Sequence, residues 1–211
     1  MITYDIHLEF TEAVLGTASS DPEIHERYIA SKAPDAKSLK DEVAALGAGA
    51  VEDRSMTRFP HMEDGTPFLW DYQLKGFCKD ACKMMRYASD SASKKVTNYL
   101  KKIDGCVFPT PRKIVLHIPE GMEAGSCQRP LRAQTAMGER IALANSEELP
   151  ASTSCDFKLN TLIDEPAFQK AIVEWFQYGR FRGVGQWRNS GKGRFGCVMK
   201  RNGKVVLDTL H

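Results

Sequence analysis

Arg180-Phe-Arg-Gly-Val-Gly-Gln-Trp-Arg-Asn-Ser-Gly-Lys-Gly-Arg-Phe-Gly196 holds five glycines, five basic residues and one tryptophan in seventeen positions. It lies between a helical pattern and an alternating one, and that placement decides how the chain is read. Upstream, Asp164-Glu165-Pro166 supplies a capping carboxylate, then an acid and a proline suited to a first helical turn. Phe168, Ala171, Ile172, Trp175 and Phe176 recur at three and four, which predicts one buried helix face. Gly179 is expected to end that helix as its C′ residue. Downstream, Phe195, Cys197 and Met199 alternate with polar neighbours, and Arg201-Asn-Gly203 predicts a tight hairpin turn into Val205–Leu207. A glycine loop that feeds a strand instead of opening a helix disfavours a dinucleotide fold. Gly191-Lys-Gly lacks the spacing of a phosphate-binding Walker loop.

Working outward, Ile2, Tyr4, Ile6, Leu8 and Phe10 alternate with Thr3, Asp5, His7 and Glu9, a half-buried strand. Residues 21–32 and 36–48 read as two short helices, and 50–68 as loop. Asp71 is placed as an N-cap. Leu74, Phe77, Cys78, Ala81, Cys82 and Met85 then form an apolar stripe, in a helix expected to reach about Lys102 with a break near Ser89–Ser93. Lys113–Ile118 alternates as a strand. Residues 119–153 suggest a hairpin excursion with strands near 130–136 and 139–145, and Cys155, Phe157 and Leu159 mark another strand. Stripped of insertions, the order is strand, helix, strand, strand, helix, strand. The fold class is therefore α+β, a ferredoxin-like βαββαβ arrangement. It is read as a single domain over 1–211, with an inserted acidic segment at 17–68 and the excursion at 119–153. Both helices should cover one sheet face. The open face would carry Asp5, His7, Glu9, Val115, His117, Lys158, Asn160, Arg194 and Lys200.

Charge sharpens the functional reading. Residues 1–68 hold 13 acidic and 6 basic side chains, whereas 69–211 hold 14 acidic and 23 basic. No acid occurs between Trp175 and Leu207. Glycines let a backbone approach a ligand closely, cations neutralise phosphate, and Trp187 offers a flat face to a base. The loop thus reads as a site for single-stranded nucleic acid. The six cysteines are scattered without a Cys-x-x-Cys pair, and Cys78 and Cys82 fall on the buried helix stripe. That predicts core thiols in a reduced, cytoplasmic protein, with no structural metal and no cofactor. Neither a signal peptide nor a membrane span is visible in the sequence.

Three motifs, in order, match a known pattern: Ile6-His-Leu-Glu-Phe-Thr-Glu-Ala-Val-Leu-Gly16; Asp64-Gly-Thr-Pro-Phe-Leu-Trp-Asp-Tyr-Gln-Leu-Lys-Gly76; and Gly183-Val-Gly-Gln-Trp-Arg-Asn-Ser-Gly-Lys-Gly-Arg-Phe195. The chain resembles the RAMP superfamily, the ferredoxin-like RNA-binding subunits of CRISPR effector complexes, and most of all the backbone subunits that line guide RNA. Residues 140–157 are similar to that family's Arg-containing strand, excursion and returning strand. The chain departs from the family at Leu69-Trp-Asp-Tyr-Gln73, which stands where a Pro-Gly-Ser-Ser turn is usual, and in the acidic segment.

The resemblance implies RNA backbone near Lys75, and assembly along RNA by self-association or within a nucleoprotein complex. The loop residues Arg182, Gly183, Gly185, Trp187, Arg188, Lys192 and Arg194 are the main candidates for contact. Arg129 and Arg132 on the excursion are further ones. Single-stranded RNA is the expected partner, with single-stranded DNA as its variant. No catalytic residue is assigned, and no membrane partner is expected. Two alternatives stay open: a metal-independent endoribonuclease of the same fold, toward which His7 and His117 on the open sheet face point, and a virus-encoded interaction protein acting on a nucleoprotein complex.

Overall fold

The computed structural model describes residues 1–19, 56–135 and 138–210, with backbone alone at 19, 131–135 and 138–143. In chain order the elements are β1 (Ile2–Phe10), β2 (Val14–Leu15), β3 (Ala18–Ser19), β4 (Thr57–Arg58), β5 (Phe68–Trp70), α1 (Asp71–Met85), a 3-10 turn (Ala92–Lys95), α2 (Tyr99–Cys106), β6 (Val107–Thr110), β7 (Lys113–Val115), β8 (Gly125–Thr135), β9 (Gly138–Leu149), β10 (Ser154–Thr161), α3 (Pro166–Arg182), a second 3-10 turn (Arg188–Ser190), β11 (Phe195–Arg201) and β12 (Lys204–Asp208). The class is α+β. The helices expected over 21–32 and 36–48 lie outside the described residues. Two compact units form, one from 1–14, 60–123 and 149–211, the other from 15–59 and 124–148.

The first unit is built on a five-stranded antiparallel sheet ordered β12-β11-β1-β10-β6. Strand alternation decides its two faces. Tyr4, Ile6, Leu8 and Phe10 of β1 are buried, as are Cys155, Phe157 and Leu159 of β10 and Phe195, Cys197 and Met199 of β11. Helices α1 and α3 pack on this face through an aromatic cluster. Phe77 lies 5.8 Å from Phe176 and 5.1 Å from Phe195, and Phe10 meets Phe195 edge-on at 6.3 Å. Each such buried ring contributes about 1.5–3 kcal/mol relative to exposure.

Local chemistry places the ends of the elements. Trp70 N–H donates to Gln73 Oε1 at 2.8 Å and Tyr72 N–H to Asp71 Oδ1 at 2.8 Å, so Asp71 opens α1 as its first residue, just inside the expected cap. The break expected near Ser89–Ser93 is real and is held from α3. The Glu174 carboxylate accepts from Ser91 Oγ at 2.6 Å and from Ala92 N–H at 3.0 Å, and Trp175 Nε1 donates to Ser93 Oγ at 2.9 Å. At the β11–β12 turn, Asn202 and Gly203 both take positive φ (52° and 75°), as a two-residue primed hairpin turn requires.

Two expectations are corrected. Gly179 does not end α3. The helix runs on to Arg182, and Gly183 at φ 74° follows it. A Cβ on Gly179 would lie 2.3 Å from the Phe195 ring, so this glycine is there for packing. Nor does Lys113–Ile118 supply the second strand of the main sheet. That edge is β6, while β7 pairs with β5 in a separate two-stranded ribbon, Phe68 opposite Val115 and Trp70 opposite Lys113. Ile114 and Leu116 are buried as their alternation demands. Period two announces a strand but does not name its neighbour.

The second unit carries the sheet β2-β9-β4-β3, with β8 paired to β9. β8 and β9 form one long hairpin in register from Gly125 opposite Glu148 to Thr135 opposite Gly138, longer than expected at its open end. Glu147 organises its inner edge: its carboxylate accepts from Phe59 N–H at 2.8 Å, and its carbonyl from Gly16 N–H at 2.9 Å.

Candidate nucleic-acid interface

The glycine-rich stretch between α3 and β11 is a closed loop with built-in constraints. Gly183, Gly185, Trp187, Gly191 and Gly193 all have positive φ. Val184 N–H donates to Gly193 O at 2.9 Å, and Gly193 N–H to Ala13 O at 2.8 Å. Space decides two of these positions. A Cβ on Gly193 would stand 1.9 Å from Val184 O, and one on Gly183 would stand 2.4 Å from Gly193 O. The loop crosses itself where only glycine fits.

Its cations divide into two sets. Asp80 on α1 accepts from Arg182 Nε at 2.8 Å and from Arg188 NH1 at 2.9 Å, and Arg182 NH1 also donates to Asn189 Oδ1 at 2.7 Å. The Asp80 hydrogen bond, as the leading cause, holds the Arg182 guanidinium above its usual pKa. The run expected from sequence to be unopposed is therefore opposed at its base. The acid comes from a distant helix, which a scan for local acids cannot see. Arg182, Gly185, Gln186, Trp187, Arg188 and Asn189 line a cleft of about 340 Å³. Trp187 is 40% exposed at its rim.

Arg194 differs. Its Nε is buried and has no hydrogen-bond partner among the described residues. The guanidinium lies beneath Gly191, where a Cβ would come within 3.5 Å of Cζ. A buried donor without an acceptor is costly and calls for an explanation.

The remaining candidates are not gathered at the loop. Lys75 donates to Asp104 O at 3.1 Å, and its Nζ lies 4.6 Å over the Phe108 ring, beside α2 and β6. Arg129, the candidate contact on the excursion, belongs to the second unit and is buried there at 7% exposure. The Arg132 side chain lies outside the described residues.

The open sheet face is polar as expected, but its charges largely pair off. Lys158 meets Asp5 at 2.9 Å, and His7 Nδ1 meets Asp156 Oδ1 at 2.9 Å. These residues, with Thr110, Pro111, Val198 and Lys200, line a shallow concavity of about 780 Å³. Val115 and His117 are corrected: Val115 sits in the β5–β7 ribbon, and His117 bridges to Ser154 through backbone only. Arg194 precedes β11 at the loop's end. No group of three or more His, Cys, Asp or Glu side chains fit to hold a metal occurs among the described residues. No described helix is long and apolar enough to cross a membrane.

Comparison with solved structures bears on the fold. The chain is similar to a protein chain in the cryo-EM structure of the Type III-B Cmr-beta bound to cognate target RNA. The TM-score is 0.54 and the identity 9%, over 95% of this chain and 60% of that one. This protein thus spans less than two thirds of that neighbour. No family model matches the sequence, and no curated protein sequence does. At this identity the likeness speaks for shared architecture.

Sequence reasoning missed Asp80 and Asn189, which hold the loop's arginines. Asp80 gives no local signal, being one polar residue on the flank of an amphipathic helix.

Proposed function

We propose that this protein is a non-catalytic RNA-binding member of the RAMP-like group, with a ferredoxin-like core, that holds single-stranded RNA at its glycine-rich loop. Within the main sheet, β11, β1, β10 and β6 follow the order 4-1-3-2 of a βαββαβ unit, which supports the ferredoxin-like reading. The solved neighbour is a chain of a Cmr-beta complex bound to cognate target RNA. The observation that carries the proposal is the buried Arg194 Nε without an acceptor, in a loop of fixed shape. Arg194 as a whole is only partly buried, so a phosphate can approach its guanidinium and neutralise a charge that the described residues leave without an acceptor at Nε. Trp187 at the rim would stack on a base. Assembly along RNA, or within a nucleoprotein complex, is part of the same reading.

The test is titration of a labelled unstructured RNA across a salt series. Contact with about four phosphates gives a log–log slope near −3 for a single strand. Arg194→Ala is expected to weaken binding in a protein that stays folded. Absence of binding at low salt overturns the proposal.

The nuclease alternative has one observation in its favour, the His7–Asp156 pair within the open-face concavity. An imidazole oriented by a carboxylate can act as a general base toward a 2′-hydroxyl. Incubating labelled RNA with wild type and His7→Ala in chelator separates the readings: intact RNA in both supports the non-catalytic one.

A further inference from the structure

The segment Leu69-Trp-Asp-Tyr-Gln73, where the chain departs from the pattern it resembles, builds a second feature of the first unit. Trp70 and Tyr72 stack with ring centroids 6.2 Å apart and planes 14° from parallel. Tyr72 is 59% exposed. Phe68 supports Trp70 edge-on at 4.9 Å. Two cations flank the rings: the Arg112 guanidinium lies 5.6 Å from the Trp70 centroid, and Lys113 Nζ lies 5.2 Å from that of Phe68 and 5.9 Å from that of Trp70.

The backbone holds this arrangement. Trp70 and Lys113 face each other in the β5–β7 register, and Asp71 N–H donates to Arg112 O at 2.9 Å. The nearby Asp71 carboxylate accepts from the Tyr72 N–H. Burial, chiefly, raises the Tyr72 phenol above its ordinary pKa, and Asp71 adds to that. Arg112 opposes it.

We propose that Tyr72, backed by Trp70 and flanked by Arg112 and Lys113, is a second contact for single-stranded nucleic acid. An unpaired base stacks on the face of Tyr72 turned away from Trp70, and the adjoining phosphate lies against Arg112 and Lys113. Flat aromatic faces take any base by stacking, and interleaved cations track the backbone. A preformed platform binds with little ordering of its own.

This inference rests on the RNA-binding reading of the loop and extends it. Tyr72 and Asp80 stand on the same helix, eight positions and about 12 Å apart along its axis. Asp80 in turn holds the base of the glycine loop through Arg182 and Arg188. One strand a few nucleotides long can therefore engage both places, and tethering makes the second contact effectively intramolecular.

The experiment uses the full chain and two readouts. Affinity for an unstructured poly-U RNA is measured for wild type, Tyr72→Ala, Tyr72→Phe, Arg112→Ala and Arg194→Ala. In parallel, iodouracil-substituted RNA is photo-crosslinked to wild type and the attachment site is mapped by mass spectrometry. Tyr72→Ala is expected to weaken binding about tenfold, Tyr72→Phe to keep most of the affinity because it keeps the ring, and the crosslink to map to Tyr72. Unchanged affinity in Tyr72→Ala with no crosslink at Tyr72 overturns the platform. If Arg194→Ala still loses binding in that case, the loop reading stands alone. If wild type binds no RNA, both fall together.

Discussion

The Asp80 carboxylate accepts a hydrogen bond from Arg188 NH1 at 2.9 Å across 108 residues of sequence. With the Arg182 contact beside it, this fastens a glycine-rich loop to the middle of α1. Half-buried side chains at both ends make the pair stronger than an exposed ion pair, though water still screens it. Asp80→Ala is expected to cost about 1–2 kcal/mol of stability. It also takes the counter-charge from two guanidiniums, so on the RNA-binding proposal the salt dependence of binding should steepen. Chemical denaturation and a salt titration read the two effects. Unchanged values in both would show that the anchor holds nothing.

Gly193→Ala tests the crossing of the loop. Its φ is +70° and its Cβ would meet Val184 O at 1.9 Å, so backbone must move. A loss of about 3 kcal/mol is expected from strain and overpacking combined. Gly65→Ala is the control, since φ is +85° but nothing lies within 4 Å. There the left-handed penalty alone, about 1 kcal/mol, should appear. Equal losses in urea melts would count against the crossing.

Trp187→Ala separates stacking from packing. The ring is exposed enough to be lost with little change in melting temperature. RNA affinity should fall by about 1–3 kcal/mol if a base lies on it. A large drop in melting temperature with unaltered affinity would make Trp187 a structural residue.

The thiols make a pH prediction. Burial pushes Cys78 and Cys197 up to about 12 and Cys82 to about 11, and it raises Cys155 as well. Because the folded pKa exceeds the unfolded one, this contribution to stability is complete below about pH 8.5. It is lost as pH rises toward the folded values, since the unfolded chain then releases protons that the native one keeps. Melting temperature should decline above about pH 9. Native iodoacetamide labelling should reach Cys106 and Cys127, which are only partly buried, and spare the other four. Rapid labelling of Cys78 in the folded protein would contradict its placement in the core.

What the sequence determined by itself was periodic and local. Alternation in Ile2–Phe10 and Cys155–Leu159, the three-and-four stripe from Leu74 to Met85, the helix start at Pro166 and the Asn202-Gly203 turn each follow from a period or a backbone preference carried by a few neighbouring residues, although Glu165 and not Asp164 holds the cap position of that helix and no side chain caps it. The same holds for the glycine loop, whose composition alone marked a candidate site. Tertiary structure decided partners. Whether Lys113–Val115 would join the main sheet or pair with β5 depended on which strand edge it met, which alternation does not encode. Gly179 served the Phe195 ring instead of a helix end, because a missing Cβ permits close packing as readily as a turn. Arg182 and Arg188 proved paired, and Arg194 without an acceptor at Nε among the described residues, because electrostatic pairing depends on distance in space and Asp80 lies more than a hundred residues away. The Trp70–Tyr72 platform needed the β5–β7 register to bring Arg112 and Lys113 beside rings some forty positions earlier.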